Sequence, residues 1–221
     1  MASKRNFSEA KTLLIYETTL ANTRNSKDIA KYMSSVGYDS IKMDEGDALL
    51  AKTKKASRTC TSKKHNINDK YKAFSDLSTS MLDSFTIHRK TARVAFRKDK
   101  ENVEQLALNE EVPKAYSAWL ELIKKFYAGI ENSKKIQEKL SELNLEIETI
   151  SDQQEMILEL EKARADYLES KAESQKATKA KDEAFDELYE WMKDFYEMAK
   201  VAMRNDKKLL ISFGKGPAIS R

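Results

Sequence analysis

The stretch Asp182–Met203, DEAFDELYEWMKDFYEMAKVAM, decides the fold. Ala184, Leu188, Met192, Phe195, Ala199 and Ala202 recur in it at steps of three and four, the spacing that lines up one face of a helix. It closes a longer run, Leu143 to Asp206, that contains neither Gly nor Pro. Earlier in that run Ile147, Ile150, Ile157, Leu160, Ala163 and Tyr167 make one seam. Between the two seams, residues 169–183 offer Ala172, Ala177 and Ala180 as their apolar contacts. No turn residue interrupts them, so one unbroken helix is expected from Glu146 to Asn205.

The chain holds a second version of this pattern. Sliding the sequence on itself by 107 positions places ARVAFRKD (Ala92–Asp99) on AKVAMRND (Ala199–Asp206) without a gap. Asn25-Ser26-Lys27 falls on Asn132-Ser133-Lys134, Ile29 on Ile136, and Met33 on Leu140. A duplication is therefore expected, with residues 1–107 as the first repeat and 108–221 as the second, packed together as one structural domain. Each repeat parses alike. A first short helix covers Ser8–Thr23 and Pro113–Glu131, with Pro113 at a first helical position where its missing N–H costs nothing. A second covers Ser26–Ser35 and Ser133–Leu143, with Ser26 and Ser133 as N-caps. Gly37 and Asn144 occupy matching places and suit the left-handed residue that ends such helices. The long helices then cover Asp39–Lys98 and Glu146–Asn205, with Asn66–Asp69 the weakest helical stretch and the expected place for a kink. The fold class read from this is all-α: an elongated antiparallel helical bundle built from two tandem three-helix repeats, each short, short and very long.

Composition agrees. With 5 Gly and 2 Pro among 221 residues, and 34% of side chains charged, the chain is suited to long helices and not to a turn-rich β fold. Its 2 Trp, 9 Tyr and 8 Phe, placed periodically, argue against disorder. The net charge of +4 implies no overall attraction to nucleic acid. The charge is nevertheless unevenly placed. Residues 36–100 hold fifteen Lys and Arg against eight Asp and Glu, a net of +7, whereas residues 143–207 hold ten against seventeen, a net of −7. Opposite signs favour the two long helices packing against each other, antiparallel and related by a pseudo-two-fold, over each packing with its own kind. A lone Cys60 leaves no internal disulfide. Neither a signal-like apolar run, a membrane span nor a lipidation motif is read, so a soluble cytoplasmic protein is expected.

Site chemistry is sparse. Metal sites of helical bundles need Glu-x-x-His pairs, and neither His65 nor His88 follows a Glu by three residues. His88 aligns with Phe195 and reads as a core-edge imidazole. Cys60 aligns with Tyr167 and reads as a small buried hydrophobe. Glu183, Glu187, Glu190, Asp194 and Glu197 form a solvated acidic stripe, expected to face the basic helix. Lys52, Lys54, Lys55, Arg58, Lys63 and Lys64, followed by Lys70 and Lys72, are the candidate anion contacts. Arg89, Lys90, Arg93, Arg97, Lys98 and Lys100 form a second cluster. No nucleic-acid-binding motif accompanies either, and neutralisation by the acidic helix is the expected use of both. Gly214-Lys-Gly-Pro217 lacks the spacing of a phosphate-binding loop. No catalytic, cofactor or metal residue is assigned.

On Val36-Gly-Tyr-Asp39, Lys176–Lys181, the helix Glu190–Ala202 and the ending Leu209-Leu210, the chain resembles a group of uncharacterised bacterial all-helical bundle proteins with an internal duplication. Its Gly214–Pro217 tail departs from that group's ending. The resemblance implies the fold and carries no established activity. The function expected is therefore that of a non-enzymatic helical structural or interaction protein, monomer or homodimer, whose partner is another protein and not a membrane. The alternative is association with nucleic acid or another anionic surface through the basic first long helix.

Overall fold

Serine and aspartate side chains set where most helices of this chain begin. Ser8, Ser26 and Ser133 accept hydrogen bonds from the backbone N–H groups of Lys11, Ile29 and Ile136, opening α1 (Glu9–Asn25), α2 (Lys27–Ser34) and α6 (Lys134–Ser141). Asp39 accepts from the Lys42 N–H at 3.0 Å at the head of α3 (Ser40–Ala95). Asp99 and Asp206 do the same for α4 (Lys100–Gln105) and α8 (Lys207–Phe213), taking the N–H groups of Asn102 and Leu209. The remaining helices are α5 (Tyr116–Glu131) and α7 (Ile147–Ala202). This computed structural model describes residues 7–213, which are all-α and contain no strand.

Two differences from the sequence reading have physical causes. α5 starts at Tyr116, not Pro113, and its N-cap Ala115 makes no side-chain bond. Carbonyls of the preceding connector are drawn onto α3 by arginine side chains described below, so the chain at Pro113 is not yet helical. The long helices stop at Ala95 and Ala202, three residues early, and each is followed by a further short helix, α4 or α8, that its aspartate cap nucleates. Finally, α3 continues as helix through Asn66–Asp69. The Gly214–Pro217 segment lies outside the described residues.

Left-handed residues end the second short helices. Gly37 has φ +90° and Asn144 φ +59°; the N–H groups after them, on Tyr38 and Leu145, return to the carbonyls of Met33 and Leu140. Ala107 adopts φ +49° after α4 and closes the same motif, the Leu108 N–H bonding to the Val103 carbonyl. No atom lies within 4 Å of a Cβ built at Gly37, so the cost of Gly37→Ala is purely that of the backbone. We expect it to destabilise by about 1 kcal/mol in urea unfolding, with Gly37→Asn losing less.

The chain divides into two compact units. The first takes the residues up to Lys64 together with those from Glu173 onward; the second is His65–Ala172. Both long helices therefore contribute to both units. Within each unit they pair antiparallel: Lys52 meets Glu187 and Lys63 meets Glu173 in the first, while Asn66 meets Ser170 and Lys70 meets Asp166 in the second.

The core of the first unit gathers Tyr16, Leu20 and Met33 around Leu188, Met192 and Phe195. α1 is poor in apolar residues for a core helix, and threonine makes up the difference. Thr19 and Thr23 are buried, yet their hydroxyls donate to the carbonyls of Ile15 and Thr19 one turn back, and Thr19 also bonds Tyr196 Oη at 2.8 Å. The second unit packs Met81, Phe85 and Phe96 against Ile123, Phe126 and Leu160.

Candidate functional site

The six candidate anion contacts on α3 separate into two groups. Lys52 is bonded to Glu187, Lys54 to Glu17 of α1, and Lys63 to Glu173, at 2.5 to 2.6 Å. These three lysines thus each have a carboxylate partner within the chain. Lys55, Arg58 and Lys64 are exposed and make no ion pair among the described residues. Further along α3, Lys70 bonds Asp166 at 2.8 Å, which raises the lysine pKa and lowers that of the carboxylate. The bond from Lys63 likewise holds Glu173 below its usual range. In each of these three α3–α7 pairs the cation lies on α3 and the anion on α7. Such exposed pairs add little to stability singly, and their sense is more informative than their strength.

The acidic stripe departs from expectation. All five of its carboxylates are exposed, but Glu187 reaches α3 while Glu183, Glu190 and Glu197 pair with Lys179, Lys193 and Lys200 of their own helix. Neighbours three and four residues away on a helix are closer than a partner helix for all but the side chains at the seam.

The second basic cluster is used in a way the sequence did not suggest. Arg89 is 4% exposed, and its Nη2 donates to the carbonyls of Ala107 and Glu110 at 2.5 and 2.6 Å. Arg93 donates from Nε and Nη2 to the carbonyl of Leu108 at 2.8 and 2.6 Å. Burial, and then the neighbouring Arg93, lower the pKa of Arg89. These arginines face main-chain oxygens of the connector between α4 and α5, not solvent anions. Charge-assisted bonds of this kind are among the stronger ones in proteins.

His88 is partly buried, with Nδ1 3.0 Å from the hydroxyl of the fully buried Tyr127. Burial lowers the imidazole pKa and raises that of the phenol. An unfolded histidine takes up its proton near pH 6.5, whereas folded His88 resists until a lower pH. The unfolded chain thus binds more protons in that window, and stability falls as pH drops from about 6.5 through the folded pKa. We expect the urea midpoint to decline between about pH 7 and 5.5, and the decline to shrink in His88→Gln. A variant with the full decline would place its origin elsewhere.

Cys60 is buried, with its sulfur 3.6 Å from Thr178 Oγ1. Among the described residues, no three His, Cys, Asp or Glu side chains gather where they could hold a metal ion, and no helix is long and apolar enough to cross a membrane.

No family model, curated protein or solved structure matches this chain. Its function must therefore be argued from its own residues. Besides the arginine clamp, sequence reasoning missed one close contact, Gly46 of α3 against the indole of Trp191. A glycine inside a long apolar seam was the available signal for it.

Proposed function

We propose that the chain is a non-enzymatic helical scaffold, cytoplasmic and working through other proteins, built as two tandem repeats, 1–107 and 108–221, in an elongated antiparallel bundle. The observation that carries the reading is the pair of 56-residue helices whose main apolar seams are buried within the chain and whose outer faces mix charged residues with exposed apolar ones such as Ile41, Ile87, Leu158 and Val201. The duplication is supported by helix bounds that coincide at an offset of 107: α2 with α6 and α3 with α7 at both ends, α1 with α5 and α4 with α8 at their starts. It is supported too by a pair of equivalent contacts. The Lys63–Glu173 ion pair and the Asn66–Ser170 hydrogen bond occupy positions related by the same offset. The resemblance to duplicated bacterial bundle proteins belongs to this reading.

A second reading rests on Lys55, Arg58 and Lys64, exposed on α3 with no acid paired to them among the described residues: contact with nucleic acid or another anionic surface. Heparin chromatography of the wild type and a Lys55→Gln, Arg58→Gln, Lys64→Gln triple variant separates the two. The scaffold reading expects both to elute together at low salt. Retention of the wild type to moderate salt, lost in the variant, would favour the anionic surface. Affinity capture with the same two proteins should then return the same partner protein for a scaffold.

A further inference from the structure

We propose that Arg89 and Arg93 form a latch that keeps the chain closed on itself, and that without it the connector opens and a second copy of the chain supplies the residues after the connector to the cores of both units. The core of the second unit is built from segments on either side of one connector. Met81, Phe85 and Phe96 come before it, and Trp119, Phe126 and Leu160 after it. The Phe85 ring lies 5.4 Å from that of Phe126, across the join. Contacts of this kind can be made as well by the same segments of another molecule, so the connector alone decides between closure and exchange.

The connector is both strained and tied down. Ala107 sits at φ +49°, a region unfavourable to any residue with a Cβ, and that strain would be relieved on opening. Against it stand the bonds from Arg89 to the carbonyls of Ala107 and Glu110 and those from Arg93 to the carbonyl of Leu108. Burying a guanidinium is costly, and Arg89 is buried while Arg93 lies exposed beside it, so the Arg89 bonds are the part of the clamp shielded from water. At the positions 107 residues later stand Tyr196, which bonds Thr19, and Lys200, which pairs with Glu197.

The test uses the full chain as wild type, as Arg89→Met with Arg93→Gln, and as Ala107→Pro, whose ring cannot adopt a positive φ. Each is refolded from urea over a range of protein concentrations and its mass measured by light scattering after gel filtration. The wild type is expected at 25.4 kDa. Both variants are expected to show a species of twice that mass, several-fold more abundant than in the wild type, increasing with refolding concentration and persisting after dilution. Folded variants that stay monomeric throughout would overturn the proposal. So would a dimer that dissociates within minutes of dilution, or a wild type that dimerises as readily. Should the arginine variant fail to fold, Ala107→Pro decides, because it breaks the turn with both arginines in place. Failure of both to fold in any form also overturns it, since an opened connector must still permit the exchanged dimer.

Discussion

Phe195→Ala is expected to destabilise the first unit by about 3–5 kcal/mol, among the largest effects of any single truncation in the chain. The ring is completely buried, with centroids of Tyr38 and Trp191 at 5.1 Å and of Phe213 at 5.4 Å. Its loss strips contacts from four neighbouring rings on α7, α8 and the turn before α3, and side chains on helices cannot collapse into a hole of that size. His88, at the position 107 residues earlier, is partly exposed, so His88→Ala should cost less. The molecule carries its own reporters, since Trp191 lies in the first unit and Trp119 in the second. Urea unfolding followed by emission in single-tryptophan backgrounds should show the Trp191 midpoint moving well ahead of the Trp119 midpoint. Equal shifts would mean that the two units unfold together, and no shift would mean the aromatic cluster is not packed as described.

The second large effect concerns Gly46. A Cβ there would lie 2.7 and 2.8 Å from Cζ3 and Cζ2 of Trp191, closer than real contacts allow. Glycine within a helix costs about 1 kcal/mol relative to alanine, and here that cost makes room for the indole. Gly46→Gln should therefore destabilise by about 1–3 kcal/mol or more through overpacking. Trp191→Ser should lose toward the low end of about 3–5 kcal/mol by leaving a void, because the indole is partly exposed. Positions 153 and 84, related to these two by the 107-residue offset, hold Gln and Ser. The double variant places that pairing in the first unit and is expected to cost less than the sum of its parts by about 1–3 kcal/mol. Strict additivity would contradict both the contact and the equivalence of the positions.

How far the sequence could be read follows from where each signal resides. Long helices were legible because three-and-four periodicity persists over many turns and no breaker interrupts it. The turn residues Gly37 and Asn144 were legible because few residue types tolerate a positive φ. α4 and α8 were not, since six or seven residues are too few to display a period. Their one mark was an aspartate cap, at Asp99 and Asp206, whose acceptor role shows only when the N–H three residues on is known to point at it. Charge gave a partial answer. The opposite signs of the two long helices correspond to the pairs of Lys52, Lys63 and Lys70, but the acidic stripe found partners mainly on its own helix. Arg89 and Arg93 were read as a cluster for the acidic helix to neutralise, whereas their acceptors are carbonyl oxygens, which every residue possesses and no sequence advertises.

The division of the chain also orders events in its synthesis. His65–Ala172 is one uninterrupted stretch, so its core is complete as soon as that stretch has left the ribosome. The first unit needs both flanks of it. Leu13, Tyr16, Leu20 and Met33 emerge before it, yet the residues that cover them, Phe185 to Met203, emerge only after it. At about 5–20 residues per second, those apolar side chains stay uncovered for roughly 8–40 seconds. Nascent domains ordinarily mature from the front of the chain backward. Here a segment that precedes the second unit in the chain is covered only after that unit is complete.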